Sequence, residues 1–438
     1  MKTGSENPAY AWYVVLVLML AYTISFIDRQ ILSLMVGPIR ADLGLSDTEI
    51  SLLHGLAFAL FYTFLGIPFG WLADHRNRRN LIAAGMSTWG LATAACGFAG
   101  SFWQLFGARV TVGVGEAALS PAAYSIISDY FTPARRGRAL GIYSMGVFVG
   151  AGLAYIVGGE AIALAGGLAA DLADRGIDFR PWQLVFVIVG LPALGLLPLL
   201  ATVREPIRRE RGQLSGEAMA DLRAGAASIW RRRSFYIAVM LALSMPALVN
   251  YAFFAWVPSY FVRSFGWSAR EIGRAFGLIL LTFGAAGMWA GGYLGDRLLG
   301  RGERDGHIRV VGWGSVGAVL PAAVFSRLAD PHWTLLALGV LVFFLGFHIP
   351  LGPAILHSVT ANELRGQVIA VYFFILNMVG LGMGPTLVAA TSDFVLQDEM
   401  AIGTALGVVA VVVLPLSAWL FARVRRRHYA PGAAGPTA

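Results

Sequence analysis

Charge is scarce in this chain. Asp, Glu, Lys and Arg make up only 13% of its 438 residues, where an ordinary soluble domain carries about a quarter. Cysteine is nearly absent: Cys96 stands alone, which excludes a disulfide or a thiolate metal site within one chain. No HExxH pair, Walker loop or serine-elbow pattern occurs, so no motif points to metal, nucleotide or nucleophilic-serine chemistry. The sequence therefore predicts no enzyme, no metal and no cofactor.

What fills the chain instead is apolar. Hydrophobic residues reach 57% and the mean hydropathy is +0.67, values that a soluble fold does not tolerate. Runs long enough to cross about 30 Å of hydrocarbon fall at 11–35, 50–71, 80–100, 103–128, 138–162, 182–202, 235–262, 273–295, 308–326, 333–357, 367–391 and 400–422. The pattern predicts an all-α integral membrane protein with twelve transmembrane helices. The first run is too long for a signal peptide and lacks a small-residue cleavage site, so we expect it to persist.

The two halves repeat. Gly44 and Gly266, Ser46 and Ser268, Glu49 and Glu271, Ile50 and Ile272, Gly55 and Gly277, Gly70 and Gly292, and Asp74 and Asp296 are each 222 residues apart. A register this long marks an internal repeat. "LSDTE" and "WSARE" each read as a Ser-x-x-Glu capping box that starts the second span of its half. A weaker echo links "RRGRALGIY" at 135–143 to "LRGQVIAVY" at 364–372. We expect two six-helix halves, residues 1–202 and 234–438, with a basic tail on the second and a charged linker at 203–233 between them.

Orientation follows from the basic residues. Of the 33 Lys and Arg, 24 fall on the side that holds the N-terminus, seven on the other, and Arg29 and Arg109 lie inside spans. By the positive-inside rule both termini are expected in the cytoplasm. The net charge of +8 is then explained by loops facing an anionic leaflet, with no need of a nucleic-acid partner. The runs "RRER" and "WRRR" at 208–211 and 230–233 read as solvated or lipid-facing surface, without a role in substrate binding.

"GWLADHRNRRNLI" at 70–82 resembles the loop signature of the major facilitator superfamily, with Asn77 where that family prefers Gly; Asn tolerates a left-handed backbone, so the turn is expected to persist. "LFGARVTVGVGEAA" at 105–118 and "DYFTPARRGRA" at 129–139 are similar to the family's fourth span and the loop after it. "GVFVGAGLAYIVGG" at 146–159 is close to the antiporter pattern, but Ala151 replaces its Pro, which disfavours drug antiport. The stretch from "FIDRQ" to "GWLAD", with "GVGEAALSPAAYSIISDYF", resembles the Spinster-type transporters, most strongly in the first half. That likeness implies alternating access, a mid-membrane substrate site between the halves, lysophospholipid or sphingosine phosphate as substrate class, and coupling to protons. It also implies a latch: Asp74 at the start of the eleventh helix near Gly366, Arg78 or Arg79 at Asp129, and Asp296 as the repeat twin. The expected setting is a multi-pass monomer in a bacterial inner membrane.

"GVGEAA" at 113–118 mimics a dinucleotide fingerprint, but it lies mid-helix with no preceding strand. Gly113 and Gly115 read better as a close helix contact. An ionisable group inside a membrane costs at least about 2.5–3.5 kcal/mol and is a functional candidate by default. Asp28, Arg29, Arg109 and Glu116 are the clear cases. Arg109 and Glu116 share a face about 10 Å apart, and Asp28 lies at a depth similar to Arg109. We expect Glu116, then Asp28, to exchange a proton, with Arg109 holding an anionic head. Asp28 and Arg29 are about 100° apart on their helix, so one faces the cavity while the other braces a neighbour.

Tyr143, Ser144, Asn250, Tyr251 and Asn377 are polar enough to line a route, and His54, His348 and His357 are further candidates. The second half carries no clear intramembrane charge but offers "NYAFFAW" and "LVFFLGFHIP". An amphiphile's tail is expected along Phe253, Phe254, Phe343 and Phe344. A small organic anion or sugar carrier, and a receptor or scaffold without transport, remain the alternatives.

Overall fold

The computed structural model describes residues 8–207, 227, 229–360 and 364–429. No strand occurs among them. Twelve long helices follow in order: α1 (Pro8–Leu34), α2 (Asp47–His75), α3 (Arg78–Cys96), α4 (Phe102–Tyr130), α5 (Pro133–Ala173), α6 (Pro181–Ala201), α7 (Arg233–Phe265), α8 (Ala269–Gly300), α9 (Gly306–Val324), α10 (Pro331–Val359), α11 (Gln367–Leu396) and α12 (Glu399–His428). Eleven are long and apolar enough to cross a membrane; α3 falls short. Its sequence is rich in Gly, Ala, Ser and Thr because its neighbours come close: Gly85 lies against Gly115 of α4, and Gly90 against Gly190 of α6. Helix α5 has 41 residues, about 60 Å of helix. The apolar run at 138–162 marked only its middle: Pro133 starts the helix a turn earlier, and the Ala- and Leu-rich segment 163–173 extends it.

The repeat is visible in the backbone. Gly44 and Gly266 both adopt a left-handed conformation, with φ of 66° and 68°, which glycine alone enters without a steric penalty. Two residues on, both capping boxes form. The amides of Glu49 and Glu271 each donate to the hydroxyl of Ser46 or Ser268, and the Ser amides donate back to the Glu carboxylates.

The chain divides into two compact units. The first holds Met1–Arg211 with Val257–Leu281, and the second Gly212–Trp256 with Thr282–Ala438. The second unit is centred on Phe235, Leu243, Val311, Phe347, Leu356 and Tyr372. Hydroxyls tie its helices together: Ser417 donates to the Ala242 carbonyl at 2.8 Å and lies 3.2 Å from the Ser315 hydroxyl. At its arginine-rich end Asp305 accepts from Arg309 and Arg425. Burial alone would raise the Asp305 carboxyl, but these two guanidinium groups hold it below the usual range.

Within the first unit, the glycines of the false dinucleotide motif are packing devices. A Cβ on Gly113 would meet the Phe58 carbonyl oxygen at 2.8 Å; one on Gly115 would sit 2.6 Å from the Trp89 amide and 2.7 Å from the Gly85 carbonyl. We expect Gly115→Ala to lower stability in detergent by about 1–3 kcal/mol, the usual cost of overpacking. Gly107→Ala, with nothing within 4 Å, should be neutral. Thermal unfolding of the two variants checks the contrast.

Candidate substrate and proton site

The intramembrane charges converge in the first unit, from α1 and α4. Asp28 is fully buried and neither of its carboxylate oxygens has a hydrogen-bond partner. Next to it in sequence, Arg29 turns a different face and donates from Nε to Oε2 of Glu116 at 2.6 Å. The other Glu116 oxygen is buried without a partner. Three rings surround the Arg29 guanidinium: Phe26 at 4.8 Å, and Phe58 and Tyr62 at 4.6 Å each. Such faces attract a cation, more strongly when water is excluded.

Arg109 is 1% exposed. It donates to the Asp28 backbone carbonyl at 3.1 Å and, at 3.5 Å, to that of Leu53. Leu53 lies in a π-helical turn, Leu52–Leu56, where the altered ladder re-aims carbonyls. The structure bears on the expectation that Arg109 holds an anionic head. Glu116 pairs with Arg29, and Arg109 lies two helical turns away along α4. Arg109 is spent on backbone carbonyls, which leaves Arg29 as the guanidinium among the rings.

Tyr143 is buried and its hydroxyl lacks a partner. Its ring stacks on Tyr22 at 4.9 Å and meets Tyr124 edge-on at 5.3 Å, and the Tyr124 hydroxyl lies 3.3 Å from that of Ser144. Sequence reasoning missed Tyr22, Phe26, Phe58, Tyr62 and Tyr124. The signal was present: His54, Phe58 and Tyr62 recur at four-residue steps, as do Tyr22 and Phe26, so each set shares a helix face. His54 is buried on that face.

In the second unit the phenylalanines are engaged in packing. Phe253 is 1% exposed and rests on Phe325. Phe343, Phe344 and Phe347 touch one another, and the Phe344 ring covers Gly317 of α9. Of the expected apolar wall, Phe253 is thus packed inside the unit, while Phe343 and Phe344 are half-buried, the Phe344 ring resting on a glycine of a neighbouring helix. Phe254 is buried beside Tyr251, while Asn250 and Tyr251 are half-buried. The His348 ring contacts the carbonyl of Leu345 on its own helix, and His357 is exposed.

At the arginine-rich end of the first unit, Arg78 takes Asp129. The guanidinium is buried and donates also to Ser125 at 2.8 Å, Glu205 at 2.7 Å and the Pro206 carbonyl at 3.1 Å. Arg79 instead donates its amide to Glu205 and its side chain to the carbonyls of Ala201 and Val203. Glu205, missed in the sequence, fastens the start of the linker here; "RRER" lies outside the described residues. Asn77 does not adopt the left-handed turn. It has φ −67° and caps α3, its side chain accepting from the Asn80 amide. Asp74 and Asp296 are exposed, with Asp296 3.5 Å from His307.

The opposite end holds a second set of ion pairs that the sequence did not announce. Arg263 grips Asp47 with two hydrogen bonds of 2.6 and 2.7 Å, and Arg40 approaches the same carboxylate at 3.2 Å. Glu160 of α5 accepts from Arg270 and Arg274, which stand one helical turn apart. Between the two clusters α5 and α8 touch through glycines: a Cβ on Gly273 would meet the Tyr155 carbonyl at 2.4 Å, and one on Gly277 that of Gly152 at 2.5 Å.

Long apolar helices, an internal repeat and an ion pair buried in the first unit describe a polytopic helical membrane protein. The chain matches the model of the Major Facilitator Superfamily over residues 18–385, and it belongs to that family, as a transporter and not an enzyme. Three similarities locate it further. It is 29% identical over 408 residues to an MFS-type efflux pump of Mycolicibacterium smegmatis, covering 92% of this chain and 89% of that one. A probable L-galactonate transporter of Escherichia coli is 29% identical over 297 residues, 65% of this chain and 61% of that relative's length. Among solved structures, a bacterial homolog of the human lysosomal transporter Spinster, inward-facing and unoccupied, superposes with a TM-score of 0.83 at 26% identity, over 96% of this chain and 98% of that one.

Asp47 is fully buried, and removing one partner of a buried charge pair leaves the other uncompensated. We expect Asp47→Ala to destabilise the protein by about 3–5 kcal/mol, whereas Glu160→Gln, on an exposed rim, should change the unfolding midpoint little. Unfolding in detergent at low and high salt separates the two.

Proposed function

We propose that the protein is a proton-coupled secondary transporter of an amphiphilic anion, of the lysophospholipid or sphingosine phosphate class, with both termini in the cytoplasm of a bacterial inner membrane. The observation that carries this reading is the Arg29–Glu116 pair set among aromatic rings beside an unpartnered Asp28. A carboxylate without donors in a dry site is costly, while the protonated acid needs no counter-ion. Protonating Glu116 removes its charge and weakens its hold on Arg29, so that the guanidinium can turn its donors to a phosphate oxygen. Proton and anion would then bind together, and the proton's loss would restore the ion pair and expel the anion. The rings of Phe26, Phe58 and Tyr62 give the amphiphile its first apolar contacts, and the substrate class is the one that the sequence resemblance to the Spinster-type transporters implies.

Alternating access supplies the two directions. The Arg78–Asp129–Glu205 cluster and Asp74 serve as the latch at one end, with Asp296 as counterpart in the repeat, and the Asp47–Arg263 and Glu160–Arg270 pairs serve at the other. A second reading is a small sugar acid or organic anion as substrate. It is favoured by the packing of Phe253 inside the second unit, against Phe325, and by the name of the Escherichia coli relative.

Uptake into proteoliposomes with and without an inwardly directed proton gradient, acid outside, tests both. We expect a lysophospholipid to accumulate under the gradient, and Asp28→Asn or Glu116→Gln to abolish that accumulation while substrate exchange persists. Arg29→Gln should weaken binding of the phosphorylated substrate by about 1.5–3 kcal/mol, the worth of a charged hydrogen bond, and that of an uncharged analogue much less. Full gradient-driven uptake by both carboxylate variants would overturn the proton role. Accumulation of a sugar acid in place of the lysolipid would establish the second reading.

A further inference from the structure

Helix α12 ends in four arginines whose side chains do different things. Arg425, itself exposed, donates to Asp305 at 2.6 Å. Arg423, Arg426 and Arg427 are exposed and have no acidic partner among the described residues. The Arg423 guanidinium lies over the Trp419 ring, 5.2 Å from its centre, and Trp419 is itself 52% exposed.

At 100° per residue, Val412, Leu416, Trp419, Arg423 and Arg427 fall within a face about 80° wide, with Arg426 at its edge. The opposite face, with Leu414, Ser417, Phe421 and Val424, is buried in the second unit. The exposed face therefore reads, over about 22 Å of helix, as two aliphatic side chains, a tryptophan and then unpaired guanidinium groups. That order follows a phospholipid from acyl chain through glycerol to phosphate. Tryptophan prefers the interfacial depth, so Trp419 holds Arg423 and Arg427 at headgroup level.

We propose that this face of α12 is a binding site for one anionic phospholipid of the adjoining leaflet, its phosphate held by Arg423 and Arg427 and its chain laid along Leu416 and Val412. Charge complementarity selects the occupant: a zwitterionic lipid brings its own cation, whereas phosphatidylglycerol brings an uncompensated phosphate. The site goes beyond the general bias of basic residues toward one side, because the guanidinium groups are placed over an aromatic ring in line with an apolar track. The same pairing recurs at the start of α7, where Arg233 lies 5.2 Å from the centre of the exposed Trp230 ring.

The test uses the full-length protein in vesicles of phosphatidylcholine doped with brominated phosphatidylglycerol or brominated phosphatidylcholine. The difference in quenching between the wild type and Trp419→Phe isolates the Trp419 signal. We expect brominated phosphatidylglycerol to quench it saturably at low mole fraction. Arg423→Gln with Arg427→Gln should weaken the preference about 30-fold, as two basic residues at a membrane surface supply. Arg301→Gln with Arg304→Gln, which removes the same charge from an exposed loop of the same unit, should leave it unchanged. Equal quenching by both brominated lipids would overturn the site, and so would an equal loss in the two double variants.

Discussion

Hydrocarbon does not tolerate an idle charge, and the first unit is arranged around that constraint. Each of its intramembrane ions is given a task. Glu116 neutralises Arg29, the surrounding rings take up the guanidinium faces, and Arg109 satisfies two backbone carbonyls from neighbouring helices. Asp28 alone has no partner for either oxygen. A group left in that condition is one whose charge can be switched by a proton, which is why the proposed coupling is argued from its neighbourhood.

The same constraint shapes the backbone. Helices close their own hydrogen bonds, and where one departs from the ladder, at the π turn of α2, a buried arginine reaches the Leu53 carbonyl. Helices can come close enough to exclude water only where side chains are small, as at Gly85, Gly115 and Gly190, and again at Gly152, Gly273 and Gly277. Close glycine contacts have a consequence for larger neighbours. Phe344 covers Gly317, so aromatic side chains that look free in sequence fill space made by glycines elsewhere.

The fold was legible because its signals are local and periodic: the length of apolar runs, the repeat at 222 residues and the two capping boxes. Among site residues, Asp28, Arg29, Arg109 and Glu116 stood out because charge in an apolar run is rare. Their partners did not, since a sequence records no angle between helices; the choice of Arg29 over Arg109 for Glu116 depends on how α1 and α4 pack. Helix α3 was the hardest span to weigh, its small polar residues lowering its hydropathy while serving its contacts. Asn77 misled through a family preference for Gly: the position needed an N-cap, which an Asn side chain provides. Glu205 went unnoticed because it lies just past the end of α6, and Glu160 because it falls at the end of the apolar run 138–162; an acid in either place is unremarked until its arginine is seen.

The central claim is that a proton on Glu116 frees Arg29 for an anion. Infrared difference spectroscopy of the protein in lipid, recorded on addition of a lysophospholipid, reads carboxyl protonation directly. The account predicts that a protonated-carboxyl band grows on binding, shifts in heavy water and disappears in Glu116→Gln. Binding without any gain in that band, or an unchanged band in Glu116→Gln, would contradict it.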